Sequence, residues 1–457
     1  MTGFSARYPG FGVFVVGLGT LVVPFDSSFN VAFPHVVRGF NLAIPQIQWA
    51  VIAYTLTYAA LTLVFGRLGD MAGYRRVFQT GNIVAAISFL ASTAAPTYGW
   101  FLAARVLQGV GAALALSCGP ALATSLYPED QRPRVLGLYT MMFGIGGALG
   151  PILAGELVDL FGWRAVFWFR APIAMLAFAL TWTLPRGESH GQQRFDAAGA
   201  GLLVLAVTAF LLTLNQIRAD TSGFLAAAAV TVLSTAGFIW RERRAAQPIL
   251  DLRFFHDFDF ALITAAHAAL NLAGFSVMLL VPFYLDRLGG LSVPMSGLVL
   301  ASSAAGIVLS GPVAGRLTAS VPSKRLALIG AAAMAVAQIA IGQAGQTVHL
   351  PVLAASMMLQ GFGLGLFQVA CLDISTATIP RENRGVAGSL VMMTRTVGVV
   401  TGATVLMLSF QTIRGHAAAA GLDEAAAFLA GFQGAFHLAA ILPVLVVLLG
   451  LFRGWAR

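Results

Sequence analysis

The sequence predicts an all-α protein that crosses a membrane many times. Of its 457 residues, 58% are hydrophobic and only 10% are charged, whereas a soluble domain carries roughly 25% charged residues. Apolar stretches of about 20 residues, the length that crosses the hydrocarbon core of a bilayer, recur along the whole chain. Two of these stretches repeat each other 252 positions apart, as LQGVGAAL from Leu107 and LQGFGLGL from Leu359. The repeat indicates two copies of one helical membrane unit.

Fourteen apolar stretches are long enough to be membrane helices. They lie at 9–34, 47–66, 77–96, 101–125, 134–158, 165–184, 197–216, 223–240, 258–283, 295–317, 325–345, 350–374, 384–409 and 428–452. The order predicts an N-terminal six-helix bundle over 1–184, an inserted helix pair with its linkers over 185–256, and a C-terminal six-helix bundle over 257–457. Duplicated helical units of this kind are typical of secondary transporters.

The basic residues support this count, because inner loops of membrane proteins carry an excess of Lys and Arg. With fourteen spans, 19 of the 27 basic residues fall at inner loops and ends and 5 at outer loops, while Arg105, Arg170 and Arg395 lie within spans. Removing one span would invert every later loop. The distribution predicts that both termini are cytoplasmic, and it explains the net charge of +9 by topology rather than by nucleic-acid binding.

The short loop after the second span, GRLGDMAGYRRV from Gly66, places Asp70 among three arginines. By charge alone this is either a positive-inside loop with a solvated counter-charge or a functional site. The loop resembles the signature between spans two and three of the major facilitator superfamily, although Met71 and Tyr74 stand where basic residues are usual. The resemblance implies a conformational latch that steadies the outward-facing state. Its residues would be Gly66, Asp70, Gly73, Arg75 and Arg76.

Two further spans extend the resemblance. The fourth contains Arg105-x-x-Gln108-Gly109, similar to the span-four motif of the superfamily, and the fifth contains GALGPILAG, similar to a motif held to mark antiporters. The residues that match the antiporter motif are Gly146, Gly150, Pro151 and Gly155. With Trp163-Arg164 and the span count, these segments resemble the 14-span drug:proton antiporter family. The resemblance implies a major facilitator fold, two six-helix bundles plus an inserted two-helix hairpin.

Asp26 lies inside the first span, where a charged side chain is costly and usually functional. Asn30 follows at i+4 and would share its helix face. Arg105 lies at a similar depth in the fourth span. We predict that Asp26 and Arg105 interact, and that protonation of Asp26 loosens the pair. The alternatives are a hydrogen-bonded structural acid and a static salt bridge. The first-span motif of the family has an Asp-to-Asn spacing of five, whereas here it is four.

Other polar residues within spans are candidates for a substrate cavity. Gln108 and Gln360 are equivalent in the repeat, and His267 shares one helix face with Asn271 in the ninth span. Each of them is equally compatible with a hydrogen bond that joins two helices. The cavity candidates are Asn30, Gln108, His267, Asn271 and Gln360.

The sequence contains no phosphate-binding loop of the GxxxxGK[ST] type, and its only lysine is Lys324. It also lacks the usual motifs of metal and nucleophile sites. We therefore expect neither an enzyme nor a cofactor. The energy for transport must come from an ion gradient or from the gradient of the substrate itself; sodium is one candidate ion, but the resemblance implies protons. The predicted function is proton-coupled antiport that exports small amphipathic or drug-like compounds. The alternatives are uptake or facilitated transport of one metabolite, and a non-transporting membrane sensor.

The predicted partners are a small-molecule substrate, protons and the lipid bilayer, with no nucleic acid. We expect a monomer in the inner membrane of a bacterium. Among the charged residues singled out, Asp26, Asp70 and Arg105 all belong to the first copy of the repeat. This asymmetry predicts that proton coupling resides in the N-terminal half.

Overall fold

The computed structural model describes residues 9–42, 44–185, 195–216, 221–245, 248–291, 293–380 and 383–455. These ranges contain sixteen α-helices and no strand. The helices are α1 (Pro9–Leu21), α2 (Ser28–Gly39), α3 (Gln48–Ala72), α4 (Tyr74–Thr93), α5 (Tyr98–Ser125), α6 (Arg132–Phe161), α7 (Ala165–Trp168), α8 (Arg170–Thr181), α9 (Ala197–Gln216), α10 (Thr221–Glu242), α11 (Phe258–Arg287), α12 (Val293–Leu317), α13 (Ser323–Gly342), α14 (Leu350–Thr378), α15 (Arg384–Ala419) and α16 (Glu424–Phe452). The all-α prediction is confirmed.

Helices occupy each of the fourteen predicted positions. Twelve of the helices in the described ranges are long and apolar enough to cross a membrane. The two other positions are the third, which is α4, and the sixth, where α7 and α8 make up the shorter apolar stretch Ala165–Thr181. The count of fourteen crossings therefore stays a prediction.

The described residues form two compact units. The first is drawn from Met1–Val135, Ile145–Asp257 and Ser375–Met393, and the second from Leu136–Gly144, Phe258–Ile374 and Thr394–Arg457. The inserted pair α9–α10 belongs to the first unit, where α9 packs against α3. In the second unit α16 packs against α11 and α13. The predicted boundaries near 184 and 256 stay a prediction.

Small residues let α4 and α5 approach each other closely. A Cβ atom at Gly81 would lie 2.6 Å from the backbone nitrogen of Ala115, and one at Gly111 would lie 2.7 Å from that of Ala85. Helices in a bilayer associate through such close packing, because no hydrophobic driving force brings apolar side chains together when the surrounding lipid is itself apolar. The contact brings α5, which carries Arg105, against α4.

An aromatic cluster holds α7 against α2 and α5. The ring centroids of Phe29, Phe101 and Phe167 lie 5.4 to 5.8 Å from one another, and Trp163 packs edge-on against Phe101 at 5.7 Å. Aromatic pairs at these separations contribute beyond their buried area. Because α8 begins directly after α7, the cluster fixes the position of Arg170.

Charged residues fasten the inserted pair at one end. Arg241 of α10 pairs with Asp196 at 3.0 Å, next to the start of α9. Glu242 accepts hydrogen bonds from the backbone N–H groups of Ile249 and Leu250, at 3.3 and 3.1 Å. Burial alone would raise the pKa of Asp196, but the hydrogen bonds from Arg241 and from the backbone outweigh it and hold the pKa below its ordinary value of 3.8.

Candidate functional site

The first membrane segment is interrupted where it carries Asp26. Helix α1 ends at Leu21, and a 3-10 turn covers Pro24–Ser27 before α2 begins. Pro24 has no N–H and cannot continue the hydrogen-bond pattern of an α-helix. The N–H of Asp26 instead donates to the carbonyl of Val23 at 3.0 Å. The predicted first span, 9–34, is therefore covered by α1, the 3-10 turn and part of α2.

The carboxylate of Asp26 receives four hydrogen bonds from three side chains. Its Oδ1 accepts from Arg105 Nη1 at 2.6 Å, from Gln108 Nε2 at 2.8 Å and from Arg170 Nη1 at 3.1 Å. Among the described residues, its Oδ2 accepts only from Arg105 Nη2, at 2.9 Å. The predicted contact between Asp26 and Arg105 is present, and Gln108 completes it by accepting from Arg105 at 2.8 Å.

Arg105 is fully buried and satisfied on several sides. Its Nε donates to the backbone carbonyl of Ala50 at 2.9 Å. Its guanidinium carbon lies 4.5 Å from the ring centroid of Phe29 and 4.6 Å from that of Tyr54. Aromatic faces attract such a cation more strongly where water is excluded. Arg105 is thereby fixed in the orientation that grips both oxygens of Asp26.

Arg170 is a second buried cation on the same carboxylate. Its Nε donates to the carbonyl of Val166 at 2.8 Å, and its guanidinium lies 4.5 Å from the ring centroid of Phe89 and 5.1 Å from that of Phe167. Its Nη2 is buried and has no hydrogen-bond partner among the described residues. The group thus holds a donor that the surrounding described residues leave unused.

Two glycines of α6 pack on the interruption in the first segment. A Cβ atom at Gly146 would lie 2.7 Å from the carbonyl oxygen of Leu21 and 2.7 Å from Cγ of Pro24. A Cβ atom at Gly150 would collide with the hydroxyl oxygen of Ser27 and touch Phe25. Only glycine permits this approach.

The remaining positions of the antiporter motif differ from these two. A Cβ atom at Gly155 would meet no atom within 4 Å, which is also true of Gly147, outside the motif. The side chain of Pro151 lies outside the described residues. Within the motif, the close contacts with the interruption therefore come from Gly146 and Gly150.

Asp70, at the end of α3, binds the beginning of α15. Its Oδ1 accepts from the backbone N–H of Gly385 at 2.7 Å, and its Oδ2 accepts from that of Val386 at 3.2 Å. Tyr74 donates its hydroxyl to Oδ1 at 2.8 Å. The first N–H groups of a helix have no partner inside the helix, and the helix dipole favours a negative charge there. The Asp70 carboxylate supplies both the acceptor that these N–H groups need and the negative charge that the dipole favours.

The neighbouring latch residues bring the two segments together. A Cβ atom at Gly66 would lie 2.6 Å from the carbonyl oxygen of Gly385. Gly73 has a φ of +92°, which allows the turn between α3 and α4. Arg67 donates to Oδ1 of Asn383 at 2.7 Å.

The two remaining arginines of the signature lie elsewhere. Arg75 donates to the carbonyls of Leu184 and Trp182, at 2.6 and 3.0 Å, and so satisfies carbonyls just beyond the end of α8. Arg76 is exposed. Of the five predicted latch residues, Gly66 and Asp70 meet α15, Gly73 makes the turn and Arg75 joins α4 to the chain after α8.

The predicted cavity residues of the second unit have partners within that unit. His267 Nδ1 lies 3.1 Å from the hydroxyl of Thr394, and Asn271 donates to the carbonyl of His267 at 2.8 Å. Gln360 accepts from the hydroxyl of Ser303 at 2.8 Å. His267 Nε2 is buried without a hydrogen-bond partner in the described chain. The side chain of Asn30, the remaining candidate, lies outside the described residues.

Comparison with known proteins gives the family. The model of the Major Facilitator Superfamily matches residues 11–400 and 272–456. The chain belongs to the major facilitator superfamily. Multidrug resistance protein Stp of Mycobacterium tuberculosis is 28% identical over 404 residues, which are 87% of this chain and 74% of Stp. Riboflavin transporter RibZ of Clostridioides difficile is 27% identical over 391 residues, which are 85% of each chain.

A solved structure of the same superfamily has the same fold. The human organic anion transporter MFSD10 aligns with a TM-score of 0.68 at 14% identity, over 96% of this chain and 99% of that one. As a major facilitator protein, the chain is an integral membrane transporter. The prediction that it is not an enzyme is confirmed, since the family and these relatives are transporters.

Within this major facilitator protein, the sequence interpretation missed Arg170. It placed this residue in a span but gave it no role. The signal was available, because an arginine in an apolar span is costly and needs a partner. No spacing rule, however, joins position 170 to position 26. The structure also gives Arg395 a neighbour, since its guanidinium carbon lies 3.9 Å from the ring centroid of Phe143.

Proposed function

We propose that this transporter exports small amphipathic compounds in exchange for protons, by alternating access, and that Asp26 carries the proton. The observation that carries the proposal is the Asp26 site itself. Asp26 is a carboxylate inside an interrupted membrane segment, with 15% of its side chain exposed, whereas its two arginine partners are fully buried. An ionisable residue in such a place marks an ion pathway more often than a structural contact.

The geometry supports a specific proton-binding atom. Oδ1 accepts three hydrogen bonds and Oδ2 accepts one, so Oδ2 has the more available lone pair. A proton on Oδ2 neutralises the carboxylate and weakens the paired hydrogen bonds from Arg105. Two buried guanidinium groups are then left without a counter-charge, which favours a rearrangement of the site. This is how protonation would drive the conformational cycle.

Export of drug-like compounds is supported by the relative Stp, whose name describes a multidrug resistance protein. Transport of one metabolite is a second candidate, favoured by the relative RibZ, which is named a riboflavin transporter. Transport by the purified protein that does not depend on pH would support this second candidate.

The remaining parts of the proposal follow the topology. Both termini are cytoplasmic, the membrane is the inner membrane of a bacterium, and the protein acts as a monomer. Residues 1–184 and 257–457 form two helical bundles, and 185–256 forms an inserted hairpin. Asp70 serves as the latch that steadies the outward-facing state, because its carboxylate binds the N–H groups of the first turn of α15 and offsets the positive end of the helix dipole.

The test is Asp26→Asn in proteoliposomes with a pH gradient. The variant keeps the shape of the side chain but has no carboxyl group that could bind and release a proton. We expect loss of compound-driven proton movement, with normal membrane insertion and an unchanged gel-filtration profile. The control is Glu156→Gln, which changes a carboxylate near the end of α6, away from the site. Gln108→Glu is unsuitable as a control because Gln108 contacts Asp26. Compound-driven proton exchange that persists in Asp26→Asn would contradict the proposal.

A further inference from the structure

A small cavity lies beside the Asp26 site, between α1, α3, α4 and α5. Its volume is about 10 Å³, and three polar side chains line it, those of Tyr54, Asn82 and Gln108. They come from three different helices and are only 8%, 1% and 2% exposed. All of them belong to the first compact unit. The cavity is therefore a buried polar space, and Gln108 connects it to Asp26 through its hydrogen bond at 2.8 Å.

Each of the three side chains has hydrogen-bonding capacity left. Gln108 donates one of its two amide N–H groups to Asp26, and its Oε1 accepts from Arg105 at 2.8 Å, so one donor and one lone pair remain. Asn82 donates to a backbone carbonyl of its own helix at 3.0 Å, while its Oδ1 accepts no hydrogen bond from a described residue. The hydroxyl of Tyr54 makes no hydrogen bond within the described chain. Unused polar groups in a buried place are costly, and an ordered water molecule is a common partner for them.

Gly19 of α1 lets the amide of Asn82 lie at the wall of this cavity. A Cβ atom at Gly19 would lie 2.8 Å from Nδ2 and 2.9 Å from Oδ1 of Asn82, so only glycine permits the approach. The amide of Asn82 is thus held by the packing against α1 and by the hydrogen bond from its Nδ2 to its own helix. Its Oδ1 is therefore an acceptor with a fixed position.

The size and the charge of the surroundings select the ligand. A cavity of roughly 10–15 Å³ holds one water molecule where two to four polar groups line it. Water both donates and accepts, so it fits between the free N–H of Gln108 and Oδ1 of Asn82. A metal cation is disfavoured, because Arg105 and Arg170 nearby share the single carboxylate of Asp26 and leave a positive excess.

We propose that this cavity binds one water molecule, and that the water holds the amide of Gln108 in the orientation in which it donates to Asp26. The water accepts from Gln108 and donates to Oδ1 of Asn82, and the hydroxyl of Tyr54 is its third partner. Asn82 and Tyr54 are then positioning residues, which act on Asp26 through the water and Gln108. The water site follows from the cavity and its polar lining, whereas its effect on proton exchange rests on the proposed function.

Loss of the water should loosen Gln108 and so change the protonation of Asp26. Without the water, the second N–H of Gln108 has no acceptor, and the amide turns more freely. A hydrogen bond to a carboxylate favours its charged form, so a weaker bond from Gln108 lets Asp26 take up a proton at higher pH. We expect a rise of at least about 0.3 pH unit in the titration midpoint, which is about a twofold change in proton affinity.

The first experiment looks for the water directly, in experimental structures of the full-length protein at a resolution that shows ordered water. The wild type should show one water within about 3.2 Å of both Asn82 and Gln108. Asn82→Leu keeps the approximate size of the side chain but removes its polar atoms, so the water should be lost. Gln79→Met is the matched control, because Gln79 is a buried amide of the same helix that does not line the cavity. A wild-type cavity without water, or a water that persists in Asn82→Leu, would overturn the inference.

The second experiment measures the effect on Asp26 by infrared titration of its carboxyl group. Tyr54→Phe removes only the hydroxyl, and it also serves if Asn82→Leu does not fold. Tyr58→Phe is its control, because Tyr58 stacks on Tyr54 at 6.1 Å, is equally buried at 8% and does not line the cavity. The midpoint should rise in Asn82→Leu and Tyr54→Phe and stay unchanged in both controls. A structural role alone would lower the unfolding temperature and leave the midpoint of every variant unchanged, which would contradict the positioning role.

Failure of the proposed function gives a different pattern. If Asp26 carries no proton in transport, the water and the midpoint shifts remain, but a pH gradient drives no exchange in wild-type proteoliposomes. If instead the gradient drives exchange while Asn82→Leu and Tyr54→Phe leave the midpoint unchanged, the proposed function stands and the positioning role of the water is wrong.

Discussion

Replacing Gly146 by alanine should disturb Asp26 through the backbone of the first membrane segment. The new methyl group would lie 2.7 Å from the carbonyl oxygen of Leu21 and 2.7 Å from Cγ of Pro24, whereas ordinary contacts begin at 3.4 Å. The interruption must therefore move by the difference, about 0.7 Å. Asp26 follows Pro24 by two residues in the same 3-10 turn. A shift of that size directed along the 3.1 Å hydrogen bond from Arg170 would lengthen it to about 3.8 Å, beyond hydrogen-bonding distance.

The size of the effect follows from the packing. Inserting a methyl group into a well-packed interior costs about 1–3 kcal/mol. That range corresponds to a change of roughly 5- to 150-fold in an equilibrium between two states. Because the strain acts on the segment that holds Asp26, part of it should appear in proton binding and not only in the free energy of unfolding.

Gly147→Ala is the matched control, because a methyl group there would meet no atom within 4 Å. An infrared titration follows protonation of the Asp26 carboxyl, with Asp26→Asn to assign its band, and thermal unfolding reports stability. We expect the titration midpoint of Asp26 to move in Gly146→Ala and to stay unchanged in Gly147→Ala. Equal midpoints in both variants, with stability lost only in Gly146→Ala, would show that Gly146 serves packing alone and refute the reasoning.

Two further predictions concern other parts of the first unit. Asp70→Asn removes the charge that caps α15, so hydrogen exchange at the amide of Gly385 should rise roughly 10- to 150-fold, as expected from loss of about 1.5–3 kcal/mol; unchanged exchange would contradict the capping role. Asp196 has a pKa below 3.8 in the folded protein, so its stabilising contribution is present above the unfolded pKa of about 3.9 and is lost as the pH falls through the folded value. The thermal unfolding temperature of Asp196→Asn should therefore fall less than that of the wild type on acidification below about pH 4. Parallel curves of unfolding temperature against pH would exclude this role.

Helix positions and the contact between Asp26 and Arg105 could be predicted from the sequence because both depend on regular geometry. A helix rises 1.5 Å per residue, so two charges at similar depth in neighbouring spans are expected to meet. The latch role of Asp70 was implied by the resemblance of its loop to the superfamily signature, because charge alone left a solvated counter-charge equally open. Hydrophobic length and charge distribution carry this information along the chain.

Other features depend on contacts that no regular period describes. Pro24 is a signal for a helix end because it lacks an N–H, but hydrophobic length alone runs past it, and only the structure shows that α1 ends at Leu21 and α2 begins at Ser28. Arg170 reaches Asp26 because an aromatic cluster places the beginning of α8, which is a matter of packing across 144 residues. Arg75 matches the signature of the latch, yet it donates to carbonyls just beyond the end of α8. In each case a contact between residues far apart in the sequence, and not a local pattern, decides the structure.

The glycine motif of α6 shows how geometry divides positions that a sequence pattern treats alike. Gly146 and Gly155 match the same motif, but only Gly146 lies against the interruption, while a side chain at Gly155 would face open space. The interruption, in turn, carries the acid that two arginines hold. The antiporter motif therefore contacts the segment that carries the charged site, through the few residues around Pro24. A motif located on one helix then bears on the proton exchange that we propose for Asp26 on another, which is why the Gly146 variant, rather than the motif as a whole, tests the connection.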